Sequence, residues 1–100
     1  MDRRVAWSRP ALADLDEATA YIARDSKIYA ARFASEIRRA AKTLGRLAER
    51  GRIVPEISDA SIRELIIGNY RLIYSIEESR TEILALIHGA RELWRGMIRD

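Results

Sequence analysis

An α+β fold follows from three features of the sequence: two amphipathic helical stretches in its first half, three β-prone runs separated by tight turns in its second half, and a short apolar strand at its start. The expected arrangement is an N-terminal strand, an antiparallel α-helical hairpin packed on a small, mainly antiparallel β-sheet, and a short C-terminal helix. With 100 residues, 48% of them hydrophobic, the chain is expected to form a single domain over residues 1–100 around one modest core.

The elements follow in order. Val5-Ala6-Trp7 is short, apolar and β-prone. Ser8-Arg9-Pro10 then supplies a cap and a proline for a first helical turn, and Leu12, Leu15, Ala18 or Thr19 and Ile22 recur at helical spacing. The first helix is therefore expected from about Pro10 to Arg24, with Asp14, Asp16 and Glu17 towards the end where the helix dipole favours acids. Asp25-Ser26 caps a second helix. Its stripe of Ala30, Phe33 or Ala34, Ile37, Ala40 or Ala41, Leu44 and Leu47 carries it from Lys27 to Glu49, with Gly51 as its end. The short connection forces an antiparallel hairpin, and the alanines allow close approach.

Residues 52–61 read as a loop leading into the sheet, with Pro55 and small polar residues. Strands are expected over Ile62–Ile67, Tyr70–Glu77 and Thr81–His88, joined by turns at Gly68-Asn69 and Glu78-Ser79. In the middle strand Tyr70, Leu72, Tyr74 and Ile76 form the core face, opposite Arg71, Ile73, Ser75 and Glu77. The third strand is apolar on both sides, with Ile83, Ala85 and Ile87 alternating with Leu84 and Leu86, which suits a central position. The strand of Trp7 is the natural additional member. The tail ARELWRGMIRD is expected to form a short helix carrying Leu93, Trp94 and Ile98.

Net charge is +3, but the stretch from Ser26 to Arg52 carries +6 and the remainder −3. Arginine outnumbers lysine sixteen to two, and guanidinium groups suit bidentate contact with carboxylates and phosphates. Both an acidic protein and nucleic acid are compatible partners, and the stripe also reads as a solvated helix face. No run approaches the roughly 20 apolar residues of a membrane span, and no apolar signal segment opens the chain, so a cytoplasmic location is expected. With no cysteine and the single His88, neither a disulfide framework nor a metal site is expected, and no cofactor.

No standard catalytic set can be assembled, since one histidine would have to serve every serine and no phosphate-cradling glycine motif is present. What remains is Arg63, Arg71, His88 and Arg91 with Trp94 nearby, all on strands or just past a strand end. Such groups can run metal-free RNA cleavage, arginines holding the phosphate while a histidine moves protons. The same residues have structural readings: Arg71 paired with an acid on a neighbouring strand, His88 half-buried at a strand end, Trp94 in the core.

The order and spacing of Trp7-Ser8 before a helix, Asp14-Leu15 within it, the hairpin segment GNYRLIY from Gly68 to Tyr74 and the closing HGAREL from His88 to Leu93 resemble the RelE/ParE toxins, and most closely the ParE branch. The resemblance implies the toxin of a type II toxin-antitoxin pair, neutralised by a cognate ParD-like antitoxin in a hetero-oligomeric complex. ParE-type members act on DNA gyrase by protein binding without chemistry of their own, so nucleic acid would be met only indirectly. By the same likeness Arg71 matches the arginine after the hairpin aromatic, Arg91 the one past the last strand, and Arg63, Arg71, Arg91 and Trp94 are the candidates for target contact. The alternative is a RelE-like ribosome-dependent ribonuclease using Arg71, Arg91 and His88. Against the RelE pattern, the strand before the hairpin turn has Arg63 followed by Glu64-Leu65-Ile66-Ile67, and the tail has no tyrosine.

Overall fold

The computed structural model describes residues 2–89. Its elements are β1 (Arg4–Trp7), α1 (Arg9–Ala23), α2 (Lys27–Thr43), a 3-10 turn (Ala48–Arg50), β2 (Arg52–Ile53), β3 (Ile62–Ile67), β4 (Tyr70–Ile76) and β5 (Arg80–His88). They form a two-helix hairpin on one face of a five-stranded sheet ordered β1-β5-β4-β3-β2, in which β1 runs parallel to β5 and every other pair is antiparallel. The expected C-terminal helix lies outside the described residues.

Both helix starts are set by serine. The Ser8 hydroxyl accepts from the Ala11 N–H at 3.1 Å with Pro10 in the first turn, and the Ser26 hydroxyl accepts from the Tyr29 N–H at 3.1 Å. The strand β1 stops at Trp7 opposite Ile83, leaving the outer edge of β5 beyond it without a strand partner among the described residues. Here α1 takes over: Leu86 N–H donates to the Asp14 carboxylate at 3.0 Å, so Asp14 serves the sheet edge as well as the helix.

The second helix ends at Thr43, six residues before the expected Glu49. The reason is tertiary. The chain start crosses at Gly45, where Arg3 N–H donates to the Gly45 carbonyl at 2.7 Å and a β-carbon would lie 2.9 Å from the Arg3 oxygen. Leu44 turns the chain out of the helix, and its carbonyl accepts from the Thr81 hydroxyl. Gly51 therefore closes a separate 3-10 turn rather than the helix. A side chain there would collide with the Tyr74 hydroxyl, 2.5 Å from the β-carbon position. That hydroxyl accepts from Gly51 N–H at 2.9 Å and donates to the Ala48 carbonyl at 2.7 Å.

The main core lies between helices and sheet, with Leu15, Ile37, Leu44, Leu72, Tyr74 and Ile83 essentially without solvent contact. Burying each such side chain contributes about 1.5–3 kcal/mol before entropy is set against it. The middle strand β4 faces as its alternation predicts, Leu72 and Tyr74 towards the helices and Ile73 away. In β5 the alternation breaks: Ile73 pairs with Ala85 and Tyr74 with Ile83, leaving Leu84 as an extra residue. Ile83 and Leu86 thus face the helices, while Leu84, Ala85 and Ile87 face away together, correcting the expected grouping.

The far side of the sheet is a second, smaller core. Val54 and Ile57 fold over Ile73, Leu84, Ala85 and Ile87. Residues 52–61 are therefore more than a connection: Arg52 and Ile53 pair with Glu64 and Arg63 as an edge strand, and the following turn covers the face that the helices leave open.

Candidate functional site

The sequence alternation of β3 and β4 puts polar groups on this far face. Glu64 shares it with Ile62 and Ile66, and Arg71 shares it with Ile73. Since Arg71 lies opposite Ile66 and Glu64 opposite Ile73, the two meet diagonally across adjacent strands. Arg71 Nε donates to Glu64 Oε1 at 2.7 Å, and its two terminal nitrogens grip Glu56 at 2.8 and 2.9 Å in a bidentate pair. The other oxygen of Glu64 accepts from Arg52 Nε. Glu64 is fully buried and Arg71 nearly so, while Glu56 is partly open to solvent.

A buried carboxylate left alone would be costly, and this one has both oxygens bonded to cations. The guanidinium of Arg71 is held even more firmly in its charged form than an ordinary arginine: the Glu56 hydrogen bonds raise its pKa, burial opposes them, and Glu64 adds to the rise. Beside it, a depression of about 550 Å³ opens at the sheet end, lined among others by Arg52, Glu56, Ile66, Arg71 and His88.

The two expected arginines among the described residues, Arg63 and Arg71, lie on opposite faces of the sheet. Arg63 is on the helix side of β3, opposite Tyr74, and its guanidinium donates to the carbonyls of Ala60, Glu49 and Gly51 at 3.0, 3.2 and 3.1 Å. It clips the 3-10 turn to the start of β3. His88 ends β5, exposed at the rim of the depression, its ring edge-on to Tyr70 at 5.5 Å between centroids. Arg91 and Trp94 lie outside the described residues. Among the described residues no three His, Asp or Glu side chains cluster as metal ligands would.

Two tyrosines close the helix side. Tyr70 packs between His88 and Phe33, and burial together with neighbouring Tyr21 raises its pKa. Burial also raises the pKa of Tyr74, whose hydroxyl is committed to Gly51 and Ala48. At the hairpin tip, by contrast, Tyr21, Ile28 and Tyr29 are well exposed, at 64, 72 and 61% of their surface. A groove of about 190 Å³ runs from Tyr21 and Tyr29 past Phe33 to Asn69 and Tyr70.

Sequence reasoning passed over Glu56, Glu64 and Arg52. Glu64 had a signal, a lone acid on the face of Ile62 and Ile66 with Arg71 on the next strand. Glu56 had none, because a loop residue has no periodicity to read.

An α-helical hairpin on one face of this five-stranded sheet is the architecture of the RelE/ParE toxin superfamily. The ParDE toxin-antitoxin system of P. aeruginosa contains a chain of the same fold, with a TM-score of 0.71 and 21% identity over 86% of this chain and 95% of that one. The RelBE2 toxin-antitoxin complex of Mycobacterium tuberculosis contains another, with a TM-score of 0.65 and 20% identity over 88% of this chain and 99% of that one. Residues 5–93 match the family described as ParE toxin of type II toxin-antitoxin system, parDE. A curated relative, Toxin RelE2 of Caulobacter vibrioides, is 34% identical over 89 residues, covering 88% of this chain and 97% of the relative. The chain belongs to the ParE toxin family of type II toxin-antitoxin systems.

Proposed function

We propose that this toxin acts in the cytoplasm by binding and inhibiting DNA gyrase, without chemistry of its own, and that a cognate ParD-like antitoxin neutralises it. The observation supporting a binding role over RNA cleavage is the state of Arg71. The arginine that a ribonuclease would aim at phosphate is buried, bonded to Glu64 and doubly bonded to Glu56, so its charge is balanced within the protein. Turning it towards a phosphate would break those bonds and strand Glu64 on Arg52 alone. Arg63 is likewise occupied by backbone carbonyls. Target contact is then assigned to Arg91 and Trp94.

Antitoxin binding is supported by the apolar hairpin tip. Tyr21, Ile28 and Tyr29 offer aromatic and aliphatic anchors of the kind that dominate protein interfaces. An antitoxin tail folding on contact could lay a helix along them and a strand against an open sheet edge. The test is a pair of assays on the purified full chain. Gyrase supercoiling should be blocked and restored by antitoxin, and mRNA on translating ribosomes should stay uncut. Codon-specific cleavage with normal supercoiling would replace this reading with the ribonuclease.

A further inference from the structure

The second helix carries a cationic surface that the proposed activity leaves unused. It buries Ala30, Phe33, Ile37 and Ala41. At about 3.6 residues per turn, the opposite face centres on Ser35, with Arg38 and Lys42 along one side of that crest and Arg32 and Arg39 along the other. All are exposed. Among the described residues these four cations make no hydrogen bond or ion pair, whereas Arg52, Arg71 and Arg80 are each matched to carboxylates. Glu36, beyond the Arg32 row, is the one acid in the helix. Like charges at this spacing weaken a helix unless something external compensates them.

We infer that this face of α2 binds the sugar-phosphate backbone of duplex DNA. Beyond Ile28 in the first turn, the crest offers no apolar anchor, which an amphipathic acidic helix would need as a partner. Cations in two rows can reach the phosphates bordering a B-form major groove about 12 Å wide, which admits a helix about 10–12 Å across. The deep, narrow major groove of A-form RNA does not. The chain contains no glutamine and a single asparagine, Asn69 in the β3–β4 turn, so α2 has no amide side chain for reading adenine. With its cations directed to the bordering phosphates rather than to guanine edges, the inferred binding is independent of sequence. This inference stands apart from the gyrase reading, because contact with DNA is measured directly and without gyrase.

Fluorescence anisotropy of the full chain with a labelled mixed-sequence DNA duplex tests it. Four neutralised phosphates at a log-log slope of about 0.9 each predict affinity falling roughly a hundredfold between 50 and 200 mM monovalent salt. Arg32→Ala with Arg39→Ala should lower the slope by about two. Replacing Arg32, Arg38, Arg39 and Lys42 together by alanine should abolish binding while the melting temperature stays at or above that of the parent, since like-charge repulsion is relieved. The inference is overturned by absence of binding at 50 mM salt, or by binding that survives in the fourfold variant. It is equally overturned by tighter binding to duplex RNA or to polyglutamate than to DNA, or by a tenfold preference for one DNA sequence.

Discussion

Arg71 and Glu64 are bonded across adjacent strands, Nε to Oε1 at 2.7 Å, with both side chains withdrawn from solvent on the face that the helices do not cover. Removing one member leaves a buried charge with half its compensation. Removing both by side chains of similar shape leaves an apolar patch beside Ile73 and Ile87. Glu64→Leu alone should therefore destabilise the domain by about 3 kcal/mol, and Arg71→Met by a similar amount. The double variant should be more stable than their sum by about 1–3 kcal/mol. Urea denaturation of the four proteins measures this, and strict additivity would mean that the pair is not coupled.

Tyr74 is expected to contribute to the loss of stability at alkaline pH. Its hydroxyl is buried between Gly51 and Ala48, and its folded pKa is raised, burial being the largest cause. A raised pKa means that the associated stability is complete below the unfolded value near 10 and is lost as pH climbs through the folded value. Tyr74→Phe should cost about 1–3 kcal/mol at neutral pH through the two orphaned backbone groups. It should also lose stability less steeply above pH 10, with Tyr70, whose pKa is raised too, supplying the remaining slope. Thermal melts across that range would show parallel curves if Tyr74 did not contribute.

At the acid end the corresponding group is Glu77, whose folded pKa is lowered chiefly by its hydrogen bond from Arg80 at 2.8 Å. A lowered pKa supplies stability above the unfolded glutamate value of about 4.3 that disappears as pH falls through the folded one. Glu77→Gln should therefore melt slightly below the parent at pH 7 and coincide with it at pH 2. Both side chains are more than a third exposed, so the difference should be small and should shrink further in high salt.

Exposed anchors at the hairpin tip should separate binding from folding. Ile28→Ala and Tyr29→Ala remove side chains that the core does not use, so stability should change by no more than about 0.5 kcal/mol. Affinity for the antitoxin should fall at least about tenfold in titration calorimetry, as for interface anchors generally. Arg91→Ala with Trp94→Ala should do the reverse, reducing growth arrest while antitoxin binding persists. A variant set in which every change affects both activities alike would contradict two separate surfaces.

Much of this architecture was legible because it rests on period and punctuation. Ser8 and Ser26 announce their helices, Gly68-Asn69 announces the hairpin, and the alternation of Tyr70, Leu72 and Tyr74 gives the core face of β4. What escaped depends on contacts between distant residues. The early end of α2 is imposed by Arg3 crossing at Gly45, and the bulge at Leu84 appears only when β5 is paired with β4. At the site, an acid paired to Arg71 was foreseeable in kind from Glu64, but Glu56 reaches it from a loop.

The Arg71→Met, Glu64→Leu double variant also decides what Arg71 is for. Each single substitution confounds loss of a cation with loss of folding, since either leaves a buried charge incompletely matched. The double variant removes the cation and its principal buried partner together, while Arg52 and the partly exposed Glu56 are free to turn to solvent. If Arg71 serves the structure, cells expressing the folded double variant should arrest as the parent does, and gyrase inhibition should persist within about twofold. A ribonuclease using this cation on phosphate would lose about 10²–10³ in rate with it, as removal of one transition-state donor does elsewhere. Growth arrest that vanishes in a double variant melting like the parent would overturn the structural role. Loss of mRNA cleavage with it would assign Arg71 to chemistry and overturn the binding mechanism, whereas loss of gyrase inhibition would assign it to target contact.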